Sequence, residues 1–352
     1  MSVKLKPLHQ QVLVITGATS GIGLATARAA AQAGARLVLA ARSANDLDTV
    51  ARELGGHVVT VVADVADPAA VAHIADTARA HFGGFDTWVN NAGVGMWGKL
   101  EQGNLEDFKR LYDTNLWGVV NGSLEAVKHL KQHGGALINL GSVASDVAIP
   151  FQGMYASSKH AIKGFTDALR IELGQEQAPV SVTLIKPAAI NTPFPAHARN
   201  YLPQQPTLPP PVYAPEDVAG AILHAASHPV RDIYVGGGGK MMSAMNKYAP
   251  GTVDWLASKS SPQQQVHPGT RARHSEGSLQ RPAAPHVQAR GDYEGHTMHS
   301  YYTRASLHPV VAGLVAATTL GAFLALWMGR DKPPKPAEDG HAPGREPLQP
   351  SV

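Results

Sequence analysis

Through the first two-thirds of the chain, short apolar runs are separated by longer, Ala-rich amphipathic stretches. The runs fall at Val12–Thr16, Arg36–Ala41, 57–63, 85–90, 136–140, 180–186 and Asp232–Val235. Most are nearly continuously apolar rather than alternating, the pattern of parallel strands covered on both faces. The early intervals of about 15 to 20 residues carry a helical period. Strand and helix patterns in strict alternation predict an α/β fold: a Rossmann-type doubly wound parallel sheet of about seven strands. Right-handed crossovers then place helices on both faces.

Past residue 240 the pattern changes. Residues 241–258 retain enough apolar positions for one or two helices that close a catalytic domain, expected over 1–258. Residues 259–306 are rich in Ser, Gln, Gly, Pro, His and Arg with no apolar period. Such a stretch lacks the burial to offset ordering entropy, which predicts a disordered linker. Residues 309–328 then run without a charge. A helix of about 20 residues spans roughly 30 Å, the thickness of a bilayer core, so a single transmembrane helix is expected over 307–328. Trp327 suits an interface, and Gly313, Ala317, Gly321 and Ala325 form a small-residue face. That face leaves a homodimer or homotetramer open. The tail, 329–352, is polar and Pro-rich and is expected to be disordered.

Chemistry enters at the first strand, which runs into Thr16-Gly17-Ala18-Thr19-Ser20-Gly21-Ile22-Gly23 and then a helix. Gly17, Gly21 and Gly23 allow a tight turn and close approach to a pyrophosphate. The helix start, with Thr19, Ser20 and Ile22, offers N–H donors and a positive dipole end. The second strand ends Ala40-Ala41-Arg42, where an NAD site usually has an acidic residue for the ribose 2′-hydroxyl. A guanidinium there pairs with a 2′-phosphate, so NADP is favoured over NAD. Asp64-Val65, after the third strand, is placed to meet the adenine; an ordinary loop carboxylate is the alternative.

With these residues and four further motifs, the chain resembles the short-chain dehydrogenase/reductase family from residue 11 to about 236. The motifs are T-G-A-T-S-G-I-G at 16–23, N-N-A-G at 90–93, Asn115 in N-L-W-G, Ser142 in N-L-G-S-V-A-S, and Tyr155-Ala-Ser-Ser-Lys159. The resemblance implies an oxidoreductase with Asn115, Ser142, Tyr155 and Lys159 as catalytic residues. Asn115 would interrupt its helix and hold a water leading to Lys159, which would also hold the nicotinamide ribose. Asn91, Ala92 and Gly93 would line the adenosine side, with Asn90 structural. Pro187, Ile190 and Thr192 would border the nicotinamide amide. Ala188 stands where the family usually has glycine.

The residues support that chemistry independently. Tyr155 and Lys159 lie four apart and share a helix face. A nearby ammonium is expected to lower a phenol pKa from its usual value near 10. Tyr155 then exchanges a proton with a carbonyl or alcohol oxygen, and Ser142 hydrogen-bonds the same oxygen. Met96, Trp97, Phe151, Met154, Phe194 and Tyr201 are expected to line an apolar pocket for a small carbonyl or alcohol substrate. Arg199 is the nearest cation for an anionic substrate. The proline-rich segment 202–215 is expected to be a stiff substrate-covering loop.

Composition adds exclusions. The chain has 352 residues and no cysteine, so disulfides, thiolate catalysis and Cys-ligated metals are out. A net charge of +3 argues against a nucleic-acid partner. His296 and His299 lack a ligand framework around them, and no metal is expected. With no signal peptide and a need for cytosolic cofactor, the catalytic domain is expected in the cytoplasm of a single-pass membrane protein. Arg330, Lys332 and Lys335 in the tail argue for the reverse tail orientation by the positive-inside rule. Two other readings stand beside the membrane-anchored enzyme: a catalytically silent NADP-binding regulator or scaffold, and a soluble fatty-acyl ketoreductase. The intact Ser142, Tyr155, Lys159 and Asn115 count against the first and the long tail against the second.

Overall fold

The structure is a computed structural model that describes residues 3–308 apart from 268, 273–275 and 283–286. The expected transmembrane run 309–328 and the tail 329–352 lie outside the described residues. Among the described residues, no helix is long and apolar enough to cross a membrane.

Seven strands form one parallel sheet: β1 (Val12–Thr16), β2 (Arg36–Ala41), β3 (Val58–Val62), β4 (Thr87–Asn90), β5 (Gly135–Leu140), β6 (Val180–Pro187) and β7 (Asp232–Val235). Their order is β7-β6-β5-β4-β1-β2-β3, as a doubly wound sheet requires. Ile15 of β1 pairs with Leu39 of β2 on one side and Val89 of β4 on the other. The strand order therefore reverses between β1 and β4. Their carboxyl ends diverge there and open a crevice.

Burial explains the continuous apolar runs. Leu13 and Ile15 point into one core with Leu24, Leu37, Leu39, Val218 and Ile222. Val12 and Val14 point into the opposite core with Val38, Ile74, Trp88, Leu130 and Leu137. Successive strand residues face opposite sides, so a sheet covered twice needs apolar residues at every position. Helices α1 (Gly21–Gln32), α2 (Ala44–Leu54), α3 (Pro68–Phe82), α4 (Leu105–Tyr112), α5 (Gly118–His133) and α6 (Gly153–Gln175) follow in order. Their starts are legible: Ser43 caps α2, and Asp67 caps α3 ahead of Pro68. A π-turn at Asp113–Trp117 separates α4 from α5 and contains Asn115, so the helix is interrupted where expected.

The end of the domain differs from expectation. After α7 (Pro215–Ser227) come α8 (Gly237–Tyr248) and α9 (Pro250–Gln264). Thr297–Met298 then adds as a short strand beside Val212–Tyr213, and α10 (Tyr301–Leu307) follows. The compact unit reaches Leu307, not residue 258. The described parts of 259–306 pack on the domain, which corrects the expected disordered linker there. Apart from a few buried side chains such as Leu279 and Ala289, these residues hold by main-chain and short polar bonds. Ser300 N donates to Asp217 Oδ2 at 2.6 Å, and Gly236 N to Thr303 Oγ1 at 3.1 Å. Such contacts leave no apolar period in a sequence.

Candidate active site

The carboxyl ends of β1, β4, β5 and β6 border one cleft of about 610 Å³. The glycine loop forms its inner floor. Gly17 and Gly21 adopt positive φ values of +66° and +54°, open to glycine at little cost. At Gly23 a Cβ would lie 2.1 Å from the Gly17 carbonyl oxygen, so helix and loop meet only without a side chain. Ser20 stands at the N-cap of α1 yet its hydroxyl makes no capping bond. A glycine cradle, an uncommitted hydroxyl and a helix N-terminus fit the pyrophosphate of a dinucleotide. Ser20, Thr19 and Ile22 all line the cleft.

Asn91 ties this loop to β4. Its Nδ2 donates to the carbonyls of Thr16 at 2.9 Å and Gly17 at 3.1 Å. Thr16 Oγ1 accepts from the N–H groups of Asn91 and Ala92, both at 3.1 Å. Asn90 instead faces the core. It accepts from Trp88 Nε1 at 2.8 Å and donates to Asn139 Oδ1 at 2.9 Å, which fits the structural role expected of it.

Arg42, Asp64 and Val65 also line the cleft. Asp64 Oδ1 accepts from Ala66 N at 3.0 Å and Oδ2 from Arg110. Burial alone would raise the Asp64 pKa, but these donors and the charges of Arg110 and Arg42 hold it below the usual carboxylate range. Arg42 already has partners: its two terminal nitrogens donate to the carbonyls of Ser278 at 2.6 Å and Leu279 at 3.3 Å.

The four expected catalytic residues converge. Asn115 is fully buried; its Oδ1 accepts from Val94 N at 2.8 Å, and its Nδ2 donates to Val94 O at 3.0 Å and Ser158 Oγ at 3.1 Å. A methyl on Gly93 would stand 3.3 Å from Asn115 Oδ1 and 3.9 Å from Lys159 Nζ. Lys159 Nζ donates to Leu140 O at 2.8 Å and lies 5.7 Å from the centre of the Tyr155 ring. Ser142 Oγ accepts from Ala144 N at 3.0 Å, which leaves its own proton to donate.

The electrostatics differ from expectation. Tyr155 keeps part of its surface open to the cleft, yet the surrounding protein pushes its pKa up to about 12, against the pull of its hydrogen bond with Ser142. Burial pushes Lys159 down to about 8. The ammonium was expected to lower the phenol pKa; desolvation of both groups outweighs that attraction here.

The segment after β6 also reaches the cleft, through Pro187, Ile190 and Thr192. Ala188 is tolerated because Gly236 and Gly239 face it: a Cβ on either would lie 2.8 or 2.9 Å from the Ala188 methyl.

The substrate wall is only partly as expected. Trp97 and Phe194 line the cleft, 5.8 Å apart edge to face. Met96, Phe151, Met154 and Tyr201 instead border a separate small pocket. Tyr201 and Arg199 both engage Asp107, at 2.5 and 2.6 Å. The sequence reading missed Met241, Met242, Met245, Val253 and Leu256 of α8 and α9, which complete an apolar wall with Pro209–Pro211. Three methionines within five residues were the available signal, but nothing local placed them at this cleft. His299, considered for metal, sits beside Asp217 at 3.1 Å.

Comparison with known proteins agrees with this geometry. A short chain dehydrogenase family model matches residues 11–201. The chain is 45% identical over 322 residues to an uncharacterized oxidoreductase of Bacillus subtilis, YxnA, covering 90% of each. A short chain dehydrogenase/reductase from Burkholderia phymatum, solved in complex with NAD, superposes with a TM-score of 0.61 at 27% identity, over 75% of this chain and 98% of that one. An alcohol dehydrogenase from Thermococcus sibiricus, complexed with 5-hydroxy-NADP, gives 0.56 at 30% identity, over 64% and 95%.

Proposed function

The chain belongs to the short-chain dehydrogenase/reductase family, and on that premise we propose that it interconverts an apolar carbonyl compound and its secondary alcohol with NADP(H). The observation that carries this reading is the convergence of Ser142, Tyr155 and Lys159 beside the glycine loop, in a cleft walled by Trp97, Phe194 and the methionines of α8. Gly17 to Gly23, Asn91 to Gly93, Pro187, Ile190 and Thr192 would hold the dinucleotide, with Arg42 at a 2′-phosphate and Asp64 and Val65 at the adenine. NADP(H), when bound, supplies or accepts the hydride.

The protein's own groups manage the proton. With its pKa pushed up to about 12, the Tyr155 phenol is protonated at neutral pH, the form that gives a proton to a carbonyl oxygen. Ser142 donates to the same oxygen as alkoxide charge develops. Lys159 would hold the ribose hydroxyls and favour the phenolate in the oxidising direction. The Asn115 side chain is committed to Val94 and Ser158, so a water-holding role falls to its main chain. The apolar wall excludes water and favours an uncharged substrate.

The uncharged run 309–328 is read as a membrane anchor that leaves the catalytic unit in the cytosol. Protease added to sealed vesicles is then expected to digest the catalytic unit and spare the tail. The activity is tested on the detergent-solubilised full chain with a carbonyl and alcohol panel, lipids included, and NADPH, NADP⁺ and NADH. Turnover of apolar ketones with NADPH is expected. Turnover only of small charged acids, or only with NADH, would sink the reading.

A further inference from the structure

Two stretches near the end of the compact unit, 276–282 and 287–291, lie against the outer side of the cofactor cleft. The Gln288 carbonyl accepts from Gly21 N at 2.9 Å. That N–H is the first of α1, one of the donors a helix end offers to a phosphate. The Ser278 and Leu279 carbonyls accept from Arg42 at 2.6 and 3.3 Å, and Leu279 O also accepts from Arg110 Nε at 3.2 Å. These main-chain oxygens therefore sit on the two groups assigned above to the pyrophosphate and the 2′-phosphate.

The first stretch is firmly seated. The Leu279 side chain is 1% exposed and packs with Val94, Met96 and Leu111. Ser278 donates twice to the His197 carbonyl, from N at 2.7 Å and Oγ at 3.0 Å. Gly277, at φ +59°, passes so close to Ala198 that a Cβ would lie 2.4 Å from its carbonyl carbon.

We infer that the seat of Leu279 sets the choice of cofactor, because carbonyls 278 and 279 compete for Arg42 with the ligand's ribose substituent. A 2′-phosphate offers Arg42 an anionic, bidentate partner, which a neutral carbonyl is not. A 2′-hydroxyl makes no demand on Arg42. NADP must lift the strap from Arg42 to seat its phosphate, whereas NAD binds with the strap in place, so a firm seat penalises NADP alone. Leu279 is thus a positioning residue for specificity that touches no reacting atom. The inference rests on the assignment of Arg42 to a 2′-phosphate.

The test uses the full chain in detergent with Leu279→Ser and Gly277→Val, each of which loosens the seat without altering the glycine loop, Arg42 or the catalytic group. Dissociation constants for NADPH and NADH are read from protein fluorescence quenching, and hydrogen exchange is followed over 276–282. Both variants are expected to exchange faster there. Their NADPH binding tightens about tenfold, the equivalent of 1.4 kcal/mol, while NADH changes less than about threefold. Faster exchange with an unchanged NADPH-to-NADH ratio overturns the inference. So does equal weakening of both ligands, which would make the strap part of the cofactor's binding surface. Gly277→Val keeps the Leu279 side chain, so agreement between the variants separates a lifted strap from a damaged core. Arg42→Ala distinguishes the two levels of the reading. If it weakens NADPH while the strap variants leave the ratio alone, only the strap inference fails. If it leaves NADPH binding intact, the NADP assignment fails and the strap inference with it.

Discussion

The inner and outer walls of the cleft are built in different ways. The inner wall is made of strand ends: the loop after β1, Asn91 after β4, Ser142 after β5 and the segment after β6, with Tyr155 and Lys159 on the long α6. Each of its groups stands at a short, fixed offset from a buried strand or within one helix. The outer wall is made of α8, α9, the proline-rich loop and the stretch around Leu279, held by single side chains and main-chain bonds. On the proposed reading, the inner wall carries the proton chemistry and the outer wall selects the substrate. Rigid offsets suit the first task, and replaceable contacts suit the second.

The largest expected effect falls on the inner wall. Tyr155→Phe removes the proton donor and is expected to cost about 10² to 10⁴ in turnover while NADPH still binds. Single-turnover kinetics beside a fluorescence titration checks both halves. Full turnover in this variant would mean that the inner wall is not the reactive one.

Next is the stability of the Lys159 site. Folding lowers the Lys159 pKa from 10.5 to about 8. Between these values the unfolded chain carries a proton that the folded chain lacks, so this group makes stability rise with pH from about 8 to 10.5. The rise is up to about 3 kcal/mol. Tyr155, raised from 10.0 to about 12, acts in the opposite sense above pH 10, so the clean window is pH 8 to 10. Denaturant unfolding across that window should slope upward for the wild type and less for Lys159→Met.

Gly23→Val follows. Its Cβ would overlap the Gly17 carbonyl oxygen, and spreading the loop is expected to cost about 1–3 kcal/mol, or roughly ten- to hundredfold in cofactor affinity. A titration with NADPH reads it. Unchanged affinity would show that the cofactor does not use this loop.

The smallest effect is at the boundary between the walls. Ala188→Gly removes a methyl that Gly236 and Gly239 already accommodate, so a change below about 1 kcal/mol in thermal stability is expected. A larger loss would mean that the Ala188 methyl supports α8.

The inner wall was legible because its residues are near neighbours in sequence. Glycines at 17, 21 and 23 belong to one turn, and Tyr155 and Lys159 to one helical face. The outer wall was not. Leu279 is a lone apolar residue in a polar stretch, and Met241, Met242 and Met245 read only as part of a helix. Four of the six residues assigned to the substrate pocket border a different cavity, because an aromatic or methionine near the right loop does not reveal which way it faces.

By itself the sequence determined the parallel sheet, its order of elements, the glycine loop and the placing of Tyr155 and Lys159 on one helix face, since hydrophobic period and local spacing are properties of neighbouring residues. Only the tertiary structure decided that the compact unit reaches Leu307, that Arg42 is held by carbonyls more than two hundred residues away, and that burial outweighs the lysine in setting the Tyr155 pKa. Those outcomes depend on contacts and on exclusion of water, which no local pattern encodes.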